Sequence, residues 1–327
     1  MVVVIEKMAE PPVYNPSLPV KVTEMGNVIE IQYMSRRNTK QTIQMLVGGQ
    51  QYLECSTGEI KEIKHHLTRA TQKKSLRRTF NTLRGIINAN VTDVSKVRWI
   101  TLTYRQENGK PMTDTKRLYS DFEKFNKRFQ YHIKKLGYNK AEYIAIAEPQ
   151  ASGAWHMHLL YIFDKIAPFL ANNDEFNPLW GHGFTKIKKL KNVDNVGAYL
   201  TAYLGDVDLE ELEELDDVAS YVSRSSDFYG DRVIGTGVKE VEVENDKGEM
   251  IQKKYIKGAR LPLYPAKFNI YRCSRGIKRP EIEMMSQENA EKKVSAATLT
   301  FRKTVKLSDD KSDFRSVIDV RQYNIKR

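Results

Sequence analysis

Apolar positions alternate with polar ones in four separate stretches of the chain, and alternation of this kind is typical of β-strands. "VRWITLTYR" at 97–105 combines β-branched and aromatic residues with this period. "EYIAIAEPQ" at 142–150 and "AWHMHLLYIF" at 154–163 have the same character, and "GFTKIKKLK" at 183–191 predicts a shorter strand. The sequence therefore predicts at least four strands in its central part.

Helical spacing of three and four residues occurs between and beside these strands. The first predicted helix lies within 61–90, a second spans 116–137 and ends at Gly137, and a third covers 192–217. The apolar stripes of the first two comprise Leu76, Phe80, Leu83, Ile86 and Ile87, and then Leu118, Phe122, Phe125, Phe129 and Ile133. Strands separated by helices, with one hairpin among them, predict an α+β domain on a mainly antiparallel sheet.

The two ends of the chain differ from this central part. Residues 1–62 mix turn signals with short alternating runs and predict a β-rich N-terminal arm, followed by the main domain at 63–282. Within the main domain, "KEVEVENDKGEMIQKKYI" at 239–256 predicts an exposed hairpin, and 261–280 are expected to supply a last strand. Residues 283–327 are polar, so we expect a partly disordered C-terminal tail.

Composition adds a charge argument and a location. The formal net charge of +12 favours a polyanionic partner, although a generic solubilising surface explains it equally well. Neither a membrane-spanning run nor a signal peptide is recognisable, and Cys55 and Cys273 fit no metal-binding spacing, so a cytoplasmic protein without membrane contact is expected. The chain has no P-loop pattern that would make it an ATP-driven motor.

Two histidines one residue apart, in a strand that otherwise looks buried, are the main chemical signal. If Ala151, Ser152 and Gly153 form a three-residue hairpin loop with Gly153 in the left-handed region, Glu148 lies opposite His156. His158 projects from the same face of the sheet, because side chains alternate along a strand.

Three metal-binding side chains thus converge from two strands, and we predict a divalent-metal site formed by Glu148, His156 and His158. Such a set leaves coordination positions open for substrate and water, as a catalytic site requires. A pair of hydrogen-bonded strand histidines is the alternative, and a bulge at Pro149 could alter the register.

Tyr199 and Tyr203 lie four residues apart in the third predicted helix, on one face. Two core tyrosines would be unremarkable in an amphipathic helix. Near a metal site in a basic chain, however, a phenol is a suitable nucleophile for attack on a phosphodiester.

"WITLTY", "EPQASGAWHMHLLY" and "VGAYLTAYL" together resemble, in their order, the three motifs of the HUH endonuclease superfamily. The closest resemblance is to the rolling-circle replication initiator (Rep) proteins of Gram-positive plasmids and related mobile elements, over about residues 50–280. The resemblance implies the HUH fold, an antiparallel sheet of the RRM or ferredoxin-like type flanked by helices. A conjugative relaxase or a transposase is a further possibility within the superfamily.

The resemblance also implies residue roles. Glu148, His156 and His158 match the ligands for Mg²⁺ or Mn²⁺, and Tyr199 or Tyr203 matches the nucleophile, with Tyr199 preferred. The lysines expected after each tyrosine are replaced by Ala202 and Asp206. We expect a compensating DNA-binding charge from the nearby lysines, which are Lys186, Lys188, Lys189 and Lys191.

The implied function is initiation of rolling-circle replication by nicking and joining single-stranded or hairpin origin DNA through a 5′-phosphotyrosine link. A host helicase and a host DNA polymerase would then act on the nicked origin. Two other classes remain open. One is a zinc hydrolase with water as nucleophile, and the other is an origin-binding regulator with weakened catalysis.

Overall fold

The computed structural model describes residues 3–37, 43–55, 57–63, 73–150, 152–171, 176–190, 193, 195–201, 207–208, 238–244, 250–256, 260–309 and 312–326. The chain divides into two compact units, one formed by residues 1–66 together with 280–327 and the other by residues 67–279. The second unit contains 36 of the 53 Lys and Arg residues and 26 of the 41 Asp and Glu residues. Ten of the twelve excess positive charges therefore belong to the second unit.

The second unit is organised around a five-stranded antiparallel sheet with the order β10-β7-β9-β8-β14. Its strands are β7 (Val97–Thr103), β8 (Glu142–Pro149), β9 (Trp155–Ile162), β10 (Thr185–Lys188) and β14 (Tyr271–Cys273). All four strands predicted from alternation are present, and the strand expected within 261–280 is β14. The α+β class with a mainly antiparallel sheet is confirmed and is compatible with an HUH endonuclease fold.

Helices accompany this sheet, and two of them have the predicted bounds within a few residues. They are α1 (Lys73–Asn90), α2 (Thr115–Lys135), α3 (Asn177–Trp180) and α4 (Val196–Thr201). Asp114 caps the N-terminus of α2 by accepting hydrogen bonds from Lys116 N and Arg117 N. Its apolar stripe packs on the sheet, with the rings of Phe129 and Tyr161 4.0 Å apart. Gly137, with φ of 80°, follows the end of α2 as predicted.

The third predicted helix is shorter than expected. Only Val196–Thr201 is helical in the described residues, and Val207–Asp208 forms the short strand β11 instead. The prediction of a helix up to residue 217 is therefore wrong at this point, because Val207 pairs in backbone register with Ile256. β11 is an edge strand of a three-stranded sheet with the predicted hairpin, which consists of β12 (Val238–Glu244) and β13 (Met250–Ile256).

The first unit contains a six-stranded antiparallel sheet with the order β1-β16-β17-β3-β2-β15. These strands are β1 (Val3–Met8), β2 (Val20–Met25), β3 (Val28–Met34), β15 (Glu281–Met285), β16 (Thr298–Asp309) and β17 (Ser312–Asn324). A separate three-stranded sheet contains β4 (Ile43–Met45), β5 (Gln51–Glu54) and β6 (Glu59–Glu62). A short helix, α5 (Gln287–Lys293), completes the described elements.

The expectation of a polar, partly disordered tail from residue 283 is therefore corrected. β17 pairs with β3 along its length, and Ala290 and Val294 join a core cluster with Val22, Ile31 and Tyr33. The tail and the N-terminal arm are two parts of one folded unit, since each supplies strands that satisfy the backbone hydrogen bonds of the other. None of the helices in the described part of the chain combines the length and apolar character needed to span a bilayer.

Candidate active site

The β8–β9 hairpin sets the site, and its register is the predicted one. Gly153 has φ of 83°, and its N–H donates to Gln150 O at 2.9 Å, so the loop closes as a glycine-terminated turn. Glu148 lies opposite His156, and Pro149 lies opposite Trp155 with no shift in register along the pair. The bulge considered at Pro149 is therefore absent from this ladder.

His158 is held from both sides of its ring. Its Nε2 lies 2.8 Å from Glu148 Oε2, and its Nδ1 lies 3.1 Å from Thr101 Oγ1 on the neighbouring strand β7. The ring also stacks on Trp99, with centroids 5.1 Å apart. Outer contacts of this kind fix the orientation and tautomer of a metal-binding imidazole, so the ring is oriented before any ligand arrives.

His156 has the opposite character. Its Nε2 is buried and has no hydrogen-bond partner among the described residues. Burial, followed by repulsion from His158, lowers the pKa of His156 to about 3, against a smaller attraction from Glu148. The imidazole is therefore neutral at physiological pH. A buried, neutral and unpaired nitrogen is costly as a packing element and is suited to bind a metal ion.

Glu148 is buried, with 8% of the residue exposed. Burial alone would raise the pKa of its carboxyl, but the charge of Arg260 and the hydrogen bond with His158 outweigh it and lower this pKa. Arg260 Nη1 lies 3.3 Å from Glu148 Oε2. The sequence interpretation missed this arginine, since it lies 112 positions away in a segment considered only as a strand.

The donors fit a divalent ion by their chemistry, but their arrangement is that of an ion pair. In the described residues, no three His, Cys, Asp or Glu side chains form a group arranged to hold a metal. His158 Nε2 is turned onto Glu148 Oε2 instead, while His156 Nε2 is orphaned nearby. Two imidazoles and a carboxylate would hold the ion only after His158 and Glu148 separate and Nε2 loses its proton.

Tyr199 lies on α4 and is half-exposed, at 47%. No contact joins it to the two histidines or to Glu148 among the described residues. Tyr203, Lys191, Ala202 and Asp206 lie outside the part of the chain that the structure describes, so the choice between the two tyrosines stays a prediction.

α4 is fixed closely against α1. Asn88 on α1 accepts a hydrogen bond from Gly197 N at 2.6 Å, and its side-chain amide donates to Asn195 Oδ1 at 2.8 Å. Asn195 in turn accepts from Ala198 N and so caps the helix. The place of Tyr199 is thereby set by packing between two helices.

Gly197→Ala is expected to disturb this packing. A Cβ at this position would lie 2.3 Å from the backbone carbonyl oxygen of Arg84, which cannot rotate away. We expect a loss of about 1–3 kcal/mol in the free energy of unfolding, measured by urea denaturation. Ala198→Ser, on the same turn, is the matched control and should change stability by well under about 1 kcal/mol. Equal stability of the two variants would contradict the close approach of α4 to α1.

Three of the four predicted DNA-binding lysines are described, and all three are exposed. Lys186 and Lys188 on β10 lie opposite Thr101 and Trp99 of β7. Because directly opposed residues share a face of the sheet, both lysines project from the face that carries His158. Lys189 follows the strand directly. The lysines therefore give positive charge to the face with the candidate metal ligands.

The turn before β10 is anchored by buried groups. His182, considered in the sequence as a turn residue, lies 3.5 Å from buried Asp121, and Tyr104 donates to the same carboxylate at 3.2 Å. A side chain at Gly183 would overlap the carbonyl of Thr103. His182 therefore holds the start of β10 against the end of β7 rather than joining the histidine pair.

Comparison with known proteins agrees with this geometry. Residues 97–208 match the family of the replication-associated protein ORF2, and the match extends from β7 to β11. No curated protein matches the chain. Among solved structures there is likewise no match. The match supports a role in replication initiation and therefore binding to DNA. The segment that carries Glu148, His156, His158 and Tyr199 is thus a region of the replication-associated protein ORF2 family, consistent with a rolling-circle replication initiator of the HUH type.

Proposed function

We propose that this protein initiates rolling-circle replication by cutting and rejoining one DNA strand at an origin. The observation that carries the proposal is the cluster of Glu148, His156 and His158 on one sheet face, inside the matched replication-associated region. These three residues would hold Mg²⁺ or Mn²⁺, which when bound supplies polarisation of a phosphodiester.

The chain's own groups would carry the other steps. The phenol oxygen of Tyr199 or Tyr203 attacks phosphorus in line and loses its proton, while the bond to the 3′-oxygen breaks and that oxygen gains a proton. The products are a 5′-phosphotyrosine and a free 3′-OH. Attack by a 3′-OH on this link reverses the reaction and releases the tyrosine. Since the number of phosphodiester bonds is conserved, nicking and joining need no ATP.

The substrate follows from the charge of the catalytic unit. Lys186, Lys188 and Lys189 lie exposed on or beside β10, and their positive charge suits a phosphate backbone. A single-stranded or hairpin origin exposes such a backbone together with an accessible scissile bond. A host polymerase would extend the 3′-OH, and a host helicase would separate the strands.

The test is a covalent capture experiment. The protein is incubated with Mn²⁺ and a pool of random single-stranded oligonucleotides, and protein-linked DNA is recovered from a denaturing gel and sequenced. We expect an adduct that withstands boiling in detergent and is abolished by EDTA. Changing both Tyr199 and Tyr203 to Phe should remove it, and the single variants should identify the nucleophile.

The same experiment separates the alternative functions. A zinc hydrolase would cleave without an adduct and would be unaffected by the double Tyr-to-Phe change. A regulator without catalysis would retain DNA with a strong dependence on salt and would produce no cleaved strand. Tyr131→Phe is the matched control, since this tyrosine is exposed on α2 and stacked only by Lys135 among its described contacts. It should leave adduct formation unchanged.

A further inference from the structure

Arg260 is a buried cation in direct contact with a candidate metal ligand. Only 9% of the residue is exposed, and its Nη1 lies 3.3 Å both from Glu148 Oε2 and from the carbonyl oxygen of Pro149. Burying a guanidinium costs several kcal/mol unless its partners compensate, so its position beside Glu148 calls for an explanation.

The position of Arg260 is set by the fold rather than by Glu148 alone. Leu263 N donates to Arg260 O and closes a turn, and the hydroxyl of Tyr264 donates to Ala147 O on β8. Tyr264 is fully buried and packs edge-on against Trp155. These contacts hold the backbone of Arg260 at the end of β8, so its guanidinium stays within reach of the site when Glu148 turns to another ligand.

A divalent ion on Glu148 would change the balance of charge. A metal ion lies about 2.1 Å from a carboxylate oxygen, so it would lie within about 5.4 Å of Arg260 Nη1. Two cations at this separation in a buried site repel each other strongly. The pair becomes favourable when an anion bridges them, and a phosphate oxygen bound to the ion is within reach of the guanidinium, whose planar fork matches phosphate.

We propose that Arg260 is the phosphate-binding residue of this site, holding the scissile phosphodiester against the bound metal and exchanging Glu148 for phosphate as the site is loaded. This inference rests on the proposed function, because it assumes a phosphodiester substrate at the cluster. In the absence of metal and DNA, Glu148 serves as the partner that keeps the guanidinium satisfied. When both bind, the carboxylate passes to the metal and the phosphate takes its place.

The proposal predicts effects of opposite sign in one variant. In Arg260→Gln, Mn²⁺ binding to the DNA-free protein, measured by calorimetry, should tighten by about tenfold, since the competing and repelling cation is gone. The rate of adduct formation at saturating Mn²⁺ should fall by about 100-fold, because a charge-stabilising donor at the reacting phosphate is lost. Arg272→Gln is the matched control. This β14 arginine stacks on Tyr119 and should leave both quantities unchanged.

A purely structural role for Arg260 predicts a different pattern. Metal affinity and adduct formation would then fall together in Arg260→Gln, and that result, or no change in either, would overturn the proposal. If Arg260→Gln does not fold, Arg260→Lys decides. It keeps the charge but not the fork, so we expect Mn²⁺ affinity within about twofold of wild type and an adduct rate lower by about tenfold. Equal loss of both, or loss of neither, would contradict the inference.

Failure of the proposed function is distinguishable from failure of this inference. If the wild-type chain forms no adduct, binding of a single-stranded oligonucleotide is measured with the Tyr199→Phe, Tyr203→Phe double variant. Mn²⁺ should tighten this binding, and Arg260→Gln should remove that gain without affecting the binding seen in EDTA. A gain that persists in Arg260→Gln would overturn the assignment of Arg260, whatever the reaction is.

Discussion

Replacing His156 by alanine is expected to weaken Mn²⁺ binding by about 100-fold or more and to abolish adduct formation, while changing stability little. Loss of an outer partner of a metal ligand alone costs about 10–100-fold in affinity, so loss of a ligand costs at least the upper end. Stability should be spared because the buried Nε2 has no partner among the described residues, and an unsatisfied buried nitrogen costs about 1–3 kcal/mol. Its removal offsets the packing that is lost with the ring.

Calorimetric Mn²⁺ titration and urea denaturation of the same variant check both halves of this expectation. Thr101→Val is the graded comparison, since it removes only the hydroxyl that holds His158 Nδ1 and should weaken Mn²⁺ binding by about tenfold. A His156→Ala protein that binds Mn²⁺ like wild type would show that the two histidines do not form a metal site. A large loss of stability would show that His156 is a core residue.

Asp319→Ala is expected to reduce the free energy of unfolding of the first unit by about 3–5 kcal/mol, the usual cost of removing one partner of a buried ion pair. The Asp319 side chain is fully buried and accepts hydrogen bonds from Arg302 Nε at 3.0 Å, Thr304 at 2.6 Å and Tyr14 at 2.5 Å. The variant would leave Arg302 without this carboxylate. Urea denaturation measures the effect, and Glu288→Ala on exposed α5 is the control, with a change of under about 0.5 kcal/mol.

The same aspartate predicts a dependence on pH. Burial raises the pKa of Asp319, but the hydrogen bonds from Arg302, Thr304 and Tyr14 outweigh it and hold this pKa below its usual value of 3.8. A lowered pKa gives stability that is present above the unfolded value and lost as the pH falls through the folded value. The difference between wild type and Asp319→Ala should therefore narrow as the pH is lowered below about 4. A constant difference between pH 7 and pH 3 would contradict the ion pair.

Local chemistry made the β8–β9 hairpin predictable from the sequence. A three-residue loop that ends in Gly153 fixes the register, and the register alone brings Glu148 opposite His156. No long-range information is needed for that step. Arg260 was not predictable in the same way, because its contact with Glu148 depends on how a turn far along the chain packs on β8. The sequence interpretation sought a compensating cation among the lysines near β10 for this reason.

The C-terminal strands were missed because charged residues occupy core-facing positions. On β17, Asp319 and Arg321 are buried on the same face as Tyr323, which a pattern of polar and apolar residues marks as exposed. Their burial depends on Arg302 of β16 and on Tyr14, both distant in sequence. The third helix was overestimated because an acidic, leucine-containing run has helical periodicity, whereas β11 forms by pairing with a strand that lies about 50 residues further on.

The shared sheet of the two chain ends has a consequence for synthesis. β2 and β3 leave the ribosome early, but their partners β17 and β15 are made only after the whole catalytic unit. Until then the apolar faces of Val22, Ile31 and Tyr33 lack the helix and strands that cover them. The catalytic unit lies within one continuous segment and can fold first, so translation that stops near residue 280 would release a candidate nuclease beside an unfinished sheet. Such products would be marked for removal by exposed strand edges, and the last strands thus report that synthesis has passed the catalytic unit.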